Sequence, residues 1–250
     1  MTKQGCSPRA SGKSISVQKA DVQKIVRALE SIGVGKDIDE AKEYGYANLV
    51  LCVIDAVFSL QEHYSQVQRT VCNFVRYWDS NFAPPNAQSS ELSLRLFASK
   101  AKTFTPQQLA AQVFIDTHKA PGCKSLLKAA VVVNLVDRLL NAGIETPADV
   151  MNPSKTATLK SAVFGTKGIK QAGYSYLRML SGDEDEAKQD TWITQFSIDS
   201  LGRAVSGEEA VALLRAATEI LKKDHPTLNL RAVDHFVWVH MSGGVSDFDC

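Results

Sequence analysis

VFGTKGIKQAGYSYLRMLSGDEDEAKQDTWITQF, residues 163–196, decides how the rest of the chain is read. It opens with Gly165-Thr166-Lys167-Gly168 between two apolar segments. Glycine reaches positive φ at little cost, so this spacing predicts a tight turn. Behind it Ile169, Ala172, Gly173, Tyr176, Leu177 and Leu180 recur at helical intervals, which predicts an amphipathic helix. The first turn of such a helix carries unpaired backbone N–H groups and the positive end of the helix dipole. No Asp or Glu lies between Lys155 and Arg178, a span that also holds Lys160, Lys167 and Lys170. That combination suits a phosphate. It is not a P-loop, whose G-x-x-x-x-G-K-[ST] spacing is missing. An ordinary helix–helix turn with solvated lysines satisfies the same pattern.

The stretch continues through an acidic loop, Gly182-Asp183-Glu184-Asp185-Glu186, to Asp190. An aspartate followed by Thr191-Trp192-Ile193-Thr194-Gln195-Phe196 and then Leu201-Gly202 reads as an N-cap, a helix and a C-terminal glycine stop. The same carboxylate, held at a helix start beside a phosphate-binding turn, can activate a water or stabilise a cation developing at a sugar C1′. The two readings are compatible.

Gly165–Gly168, Lys170, Gln171-Ala172 and Asp190-Thr191 resemble the helix–hairpin–helix DNA glycosylases, the endonuclease III-like superfamily. The resemblance extends more weakly from about Tyr44 to about His240. It implies an all-α, two-lobed helical fold with DNA at the cleft, in which the first and last elements share a lobe. It implies that Asp190 is the essential aspartate and that Lys170 stands where lyase-type members carry their Schiff-base lysine. Gly165, Thr166, Lys167, Gly168 and Ile169 would form the DNA-binding turn. Gln61, His63, Tyr174 and Trp192 would lie near a base pocket. For His63 a solvated helix-end histidine is the alternative, and for Tyr174 and Trp192 it is core packing. The implied activity is cleavage of an N-glycosidic bond in damaged duplex DNA, with the base flipped out of the stack. The implied partner is a damaged or abasic duplex, with no cofactor and no metal.

This sequence departs from the family pattern in three places. The usual Leu-Pro-Gly-x-Gly turn has no proline here, and its glycines are one residue further apart. The usual Asp-Thr-His is Asp190-Thr191-Trp192. The four-cysteine iron–sulfur cluster of endonuclease III has only Cys250 to draw on near the C-terminus. The resemblance therefore points to a divergent branch without the cluster.

Composition narrows the field. A chain of 250 residues, 44% of them hydrophobic, can bury a large core as one domain or two lobes. A net charge of +1 confines any nucleic-acid surface to a local patch. The five cysteines include no C-x-x-C pair, which argues against a disulfide framework or a zinc site. Cys52 and Cys72 read as buried thiols. No run approaches a membrane span, and the N-terminus has no apolar signal core. The expected location is cytoplasmic, or nucleoid-associated in a bacterium.

Residues 1–16 read as a disordered basic tail, 17–242 as the helical domain and 243–250 as a tail, with a candidate lobe boundary or lid at 81–90. The apolar run 44–64 is predicted to be one central core helix, within which Asp55 needs a partner if buried. In 125–141 the predicted core face is Leu126, Ala129, Ala130, Val133, Val136, Asp137 and Leu140. A second glycine turn, Gly33-Val34-Gly35-Lys36, is followed by Asp37, Asp39 and Glu40, which would repel a phosphate. Asp234 and His235 are adjacent and do not face one another on a helix. Two other functions remain open: a non-catalytic helix–hairpin–helix DNA-binding module, and a helical protein-interaction module, the latter motivated by the acidic loop beside the turn.

Overall fold

The computed structural model describes residues 15–35, 45–78 and 92–243. The expected tails up to residue 14 and from 244 onward, the 81–90 boundary, and Lys36 with its acidic neighbours lie outside them. Regular structure among the described residues is helical, with one isolated bridge between Lys119 and Leu127. The fold class read from the sequence as all-α is what the structure has.

Two hydrophobic clusters organise the chain. The first is built around α2 (Leu49–Phe58), whose ten residues are all buried. A helix apolar on every side has no solvent face and goes to the centre. Against it pack α3 (Tyr64–Trp78), α4 (Leu94–Ala101), α6 (Lys128–Asn141) and α9 (Gln171–Leu180), and α8 (Thr156–Phe164) packs on α6 and α9. The short α5 (Pro106–Gln108) runs on into a π-helical segment, Leu109–Phe114, and α7 (Pro147–Met151) leads towards α8. The second cluster joins α1 (Lys19–Ser31) to α10 (Thr191–Leu201), α11 (Gly207–Leu221) and α12 (Leu230–Ser242). The first helix thus packs with the last three, and the chain crosses between the clusters at 181–190.

The helix ends follow their capping residues. Thr105 and Thr146 each form a capping box followed by proline. Ser206 accepts from the Glu209 N–H, and Gly202 stops α10 at φ 71°. Residues 231–241 are helical, because Asn229 accepts from the Ala232 N–H and starts α12.

Three expectations are corrected. The run 44–64 is not one helix. The Asn48 side chain accepts from the Val50 N–H and starts α2 late, and α2 ends at Phe58, with Gln61 in the left-handed region at φ 54°. In α6 the buried face is Lys128, Ala129, Val131, Val132, Leu135, Val136 and Leu139. It is rotated from the predicted one because an almost wholly apolar run does not fix a helix's phase. Cys52 is a free buried thiol whose Sγ lies 3.4 Å from the Leu180 carbonyl, and burial pushes it up to about 12. Cys72 is buried but disulfide-bonded.

Candidate nucleic-acid turn and boundary carboxylates

The glycine turn joins α8 to α9 and rests on the first cluster. Thr166 is buried, and its hydroxyl donates to the Ala162 carbonyl at 2.9 Å. Ile169 is buried beside it. Gly168 has φ 97°, and a Cβ there would sit 2.9 Å from the Ala120 Cβ. Left-handed backbone and close approach therefore both require glycine at this position. At Gly165 the space a Cβ would fill is taken by the Arg138 guanidinium, which reaches the turn from α6. Lys160, Lys167 and Lys170 are exposed around it. Lys170 is the extended N-cap of α9 and makes no side-chain cap bond, so its side chain leaves the first-turn N–H groups uncapped.

From the end of α9 the chain doubles back along that helix. Arg178 pairs with Asp183 and, at 3.5 Å, with Glu186. The backbone carbonyl of Glu184 accepts from the Arg231 N–H at 3.0 Å. Asp185 lies 3.9 Å from the Lys222 ammonium. The acidic loop is thus tied to cations of both clusters. Two residues further on, the Lys188 ammonium stands 4.0 Å from the centre of the Tyr176 ring.

This return places Asp190 at the boundary of the clusters. Its Oδ1 accepts from the Trp192 and Ile193 N–H groups at 2.9 and 3.2 Å. The cap predicted from sequence is therefore formed. Among the described residues both cap bonds fall on Oδ1, and Oδ2 takes no part in the cap. Burial pushes the Asp190 carboxyl up, against the Lys188 charge and the two N–H bonds. Asp234, on α12, is buried and accepts from the Lys188 N–H at 3.0 Å. Burial and then the Asp190 charge push its carboxyl well up.

From the first cluster, Asp55 lies near enough to feel the Lys188 charge. It is fully buried, accepts from the Tyr46 hydroxyl at 2.8 Å, and leaves Oδ1 without a partner. Burial pushes it up to about 6, opposed by the Tyr46 bond and the Lys188 charge. The Lys188 charge therefore acts on Asp55, Asp190 and Asp234 together. The Tyr64 ring meets Trp238 edge-on at 5.1 Å across the same boundary.

Asp55 gives a pH-dependent contribution to stability. Its folded value lies above the 3.8 of an unperturbed aspartate, so the fold favours the neutral form. That contribution is full below about pH 4 and is lost as the pH rises through about 6, at most about 3 kcal/mol. Urea denaturation of Asp55→Asn at pH 4 and at pH 7 should therefore differ less than it does for the native protein. Equal pH dependence in the two would rule out Asp55 as the source.

A second buried polar group lies at the end of α2. Lys128 is 2% exposed. Its ammonium donates to the Phe58 carbonyl at 2.8 Å and lies 3.5 Å from Glu62 Oε2. Burial pushes it down, against the charges of Glu62 and Asp116. Asp116 accepts from Thr70, from Gln66 and from the His118 N–H at 3.1, 3.3 and 2.8 Å.

The structure gathers some of the expected site residues and separates others. Gly165, Thr166, Lys167, Gly168 and Ile169 form the turn. Gln61 and His63 are exposed in the α2–α3 connection. Tyr174 is buried in the first cluster against Phe164, with ring centres 5.3 Å apart. Trp192 is partly exposed in the first turn of α10. Lys188, not Lys170, is the lysine whose charge acts on Asp190. Sequence reasoning missed Lys188 and Lys128, and it weighed Asp234 only against its neighbour His235. The readable signals were a lysine within an apolar run for Lys128 and an aspartate within an apolar helix for Asp234; nothing local marked Lys188. Among the described residues no group of three or more His, Cys, Asp or Glu is placed to hold a metal ion, and no helix is long and apolar enough to cross a membrane.

Residues 13–242 match the model of a family described as a domain of unknown function (DUF8548). No curated protein and no solved structure matches the chain.

Proposed function

The chain belongs to this family of unknown function, and we propose that it is a helix–hairpin–helix DNA glycosylase-like protein that cleaves an N-glycosidic bond in damaged duplex DNA. The observation that carries this reading is the return of the chain along α9, which brings Asp190 to the boundary of the clusters with Oδ2 outside the cap. The α8–α9 turn, with Lys167 exposed and the α9 N-terminus uncapped, contacts the phosphate backbone. The damaged nucleotide is turned out of the stack towards the boundary. There the Asp190 carboxylate stabilises the cationic sugar as the base leaves, or activates the water that attacks C1′. The Lys188 charge and the two N–H bonds at Oδ1 favour the ionised form that this role needs, against burial.

The acidic loop is compatible with this partner, because Arg178, Lys222 and the Arg231 N–H hold it. Affinity should come from the turn and fall with salt. Lys167→Glu should weaken binding to an intact duplex at every salt concentration. It should also lower the slope of log K against log salt by about one, as expected for one lost phosphate contact. Fluorescence anisotropy at two salt concentrations measures both. An unchanged affinity would remove the turn from the interface.

A further inference from the structure

The turn continues onto an outward face of α8, of which the glycosylase reading uses only the turn end at Gly165 and Lys167. On α8, Ala157, Lys160, Ser161 and Phe164 are exposed at helical intervals, and the stripe runs on to Gly165 and Lys167. Phe164 is 44% exposed, at the last residue of the helix. Its ring is held from beneath by Tyr174, at 5.3 Å and 33° between planes. The Lys160 ammonium lies 5.8 Å from the centre of that Tyr174 ring, and the Arg138 guanidinium fills the space beside Gly165. Lys160, Lys167, Lys170 and Arg138 pair with no carboxylate among the described residues, and no acidic residue lies between Lys155 and Arg178.

A lone exposed Phe is commonplace. This one differs in being braced by a buried aromatic and surrounded by unpaired cations. An exposed aromatic ring with cations around it is the kind of surface that holds single-stranded nucleic acid, because every base has a face to stack and every phosphate a charge to meet. A duplex keeps its bases stacked inside and offers nothing to Phe164.

We propose that this face binds an unpaired stretch of nucleic acid, with one base stacked on Phe164 and its flanking phosphates on Lys160, Lys167 and Arg138. The proposal rests on the reading of the turn as a nucleic-acid contact. It adds that the preferred ligand is a duplex interrupted by unpaired nucleotides, such as a gap or a single-stranded junction. The cations supply affinity for any strand, and the ring supplies preference for the unpaired one.

The test compares an intact duplex with the same duplex carrying a four-nucleotide gap, using the full chain and its Phe164→Ala and Phe164→Trp variants. The native protein should bind the gapped duplex more tightly. Phe164→Ala should lose about fivefold to a hundredfold on the gapped duplex and stay unchanged on the intact one, the range for one stacked base. Phe164→Trp should restore the preference, which a merely structural role for Phe164 would not produce. Binding of both duplexes without preference, or a preference that Phe164→Ala leaves intact, would overturn the proposal and leave the turn as a nucleic-acid contact. Failure to bind either duplex would sink the turn reading and this inference with it.

Discussion

Asp190→Asn is expected to slow base release at least about a hundredfold, the lower end for a positioned general base or a charge acting on a transition state. The measurement is single-turnover base release from duplexes carrying deaminated, alkylated or oxidised bases. The substitution is informative because it should not unfold the protein. Asparagine caps helices as well as aspartate does, and its carbonyl oxygen can still accept from the Trp192 and Ile193 N–H groups that Oδ1 serves. The amide also carries no charge into a site where burial disfavours one. Asp190→Ala, by contrast, removes the cap and should cost about 1 kcal/mol of stability. Activity lost in both variants with stability lost only in Asp190→Ala separates the chemical role from the structural one. If Asp190→Asn instead lowers stability as much as Asp190→Ala and leaves base release intact, the carboxylate is a cap and nothing more.

Lys128→Ala is expected to destabilise the fold by about 3–5 kcal/mol, the cost of removing one partner from a buried charged pair. Three losses combine. The Phe58 carbonyl, at the end of α2, loses its donor at 2.8 Å. Glu62 loses the cation 3.5 Å away. A cavity opens under the first turn of α6. Lys128→Met keeps most of the volume and should recover part of the loss, while still leaving the carbonyl and Glu62 without their cation. Urea denaturation of both variants checks the order. Equal stability of Lys128→Ala and the native protein would show that the ammonium contributes no net stabilisation.

The legible part of the molecule was its local part. Gly168, at positive φ, and the Asp190 cap depend on backbone conformation within a few residues, and spacing reports that directly. The same holds for Thr105, Thr146 and Ser206. Gly165 has helical backbone, and what crowds it is Arg138 from α6, which spacing does not report. The phase of α6 was not legible, because a segment apolar nearly all round fits several orientations until α2, α4 and α8 pack against it. Length failed in the same way at 44–64, where hydrophobicity continues through the breaks that Asn48 and Gln61 mark. The group at the boundary of the clusters was hidden for another reason. Asp55, Lys188, Asp190 and Asp234 come from three separate parts of the chain, and the Lys188 charge reaches all three carboxylates once Arg178 ties the acidic loop back along α9. In sequence that loop looks like unpaired negative charge. In the fold it positions Lys188 and Asp190.

A base-excision site at the boundary between the clusters has one binding signature that a structural seam lacks. The most direct measurement is the affinity of the Asp190→Asn protein for a duplex carrying an abasic-site analogue against the same duplex intact, at two salt concentrations. Tighter binding to the abasic duplex is expected at both, since the vacated sugar needs no base flipped from the stack and can enter the boundary directly. Equal affinity for the two duplexes, falling together with salt, would contradict it and leave a phosphate-binding turn without a site for chemistry.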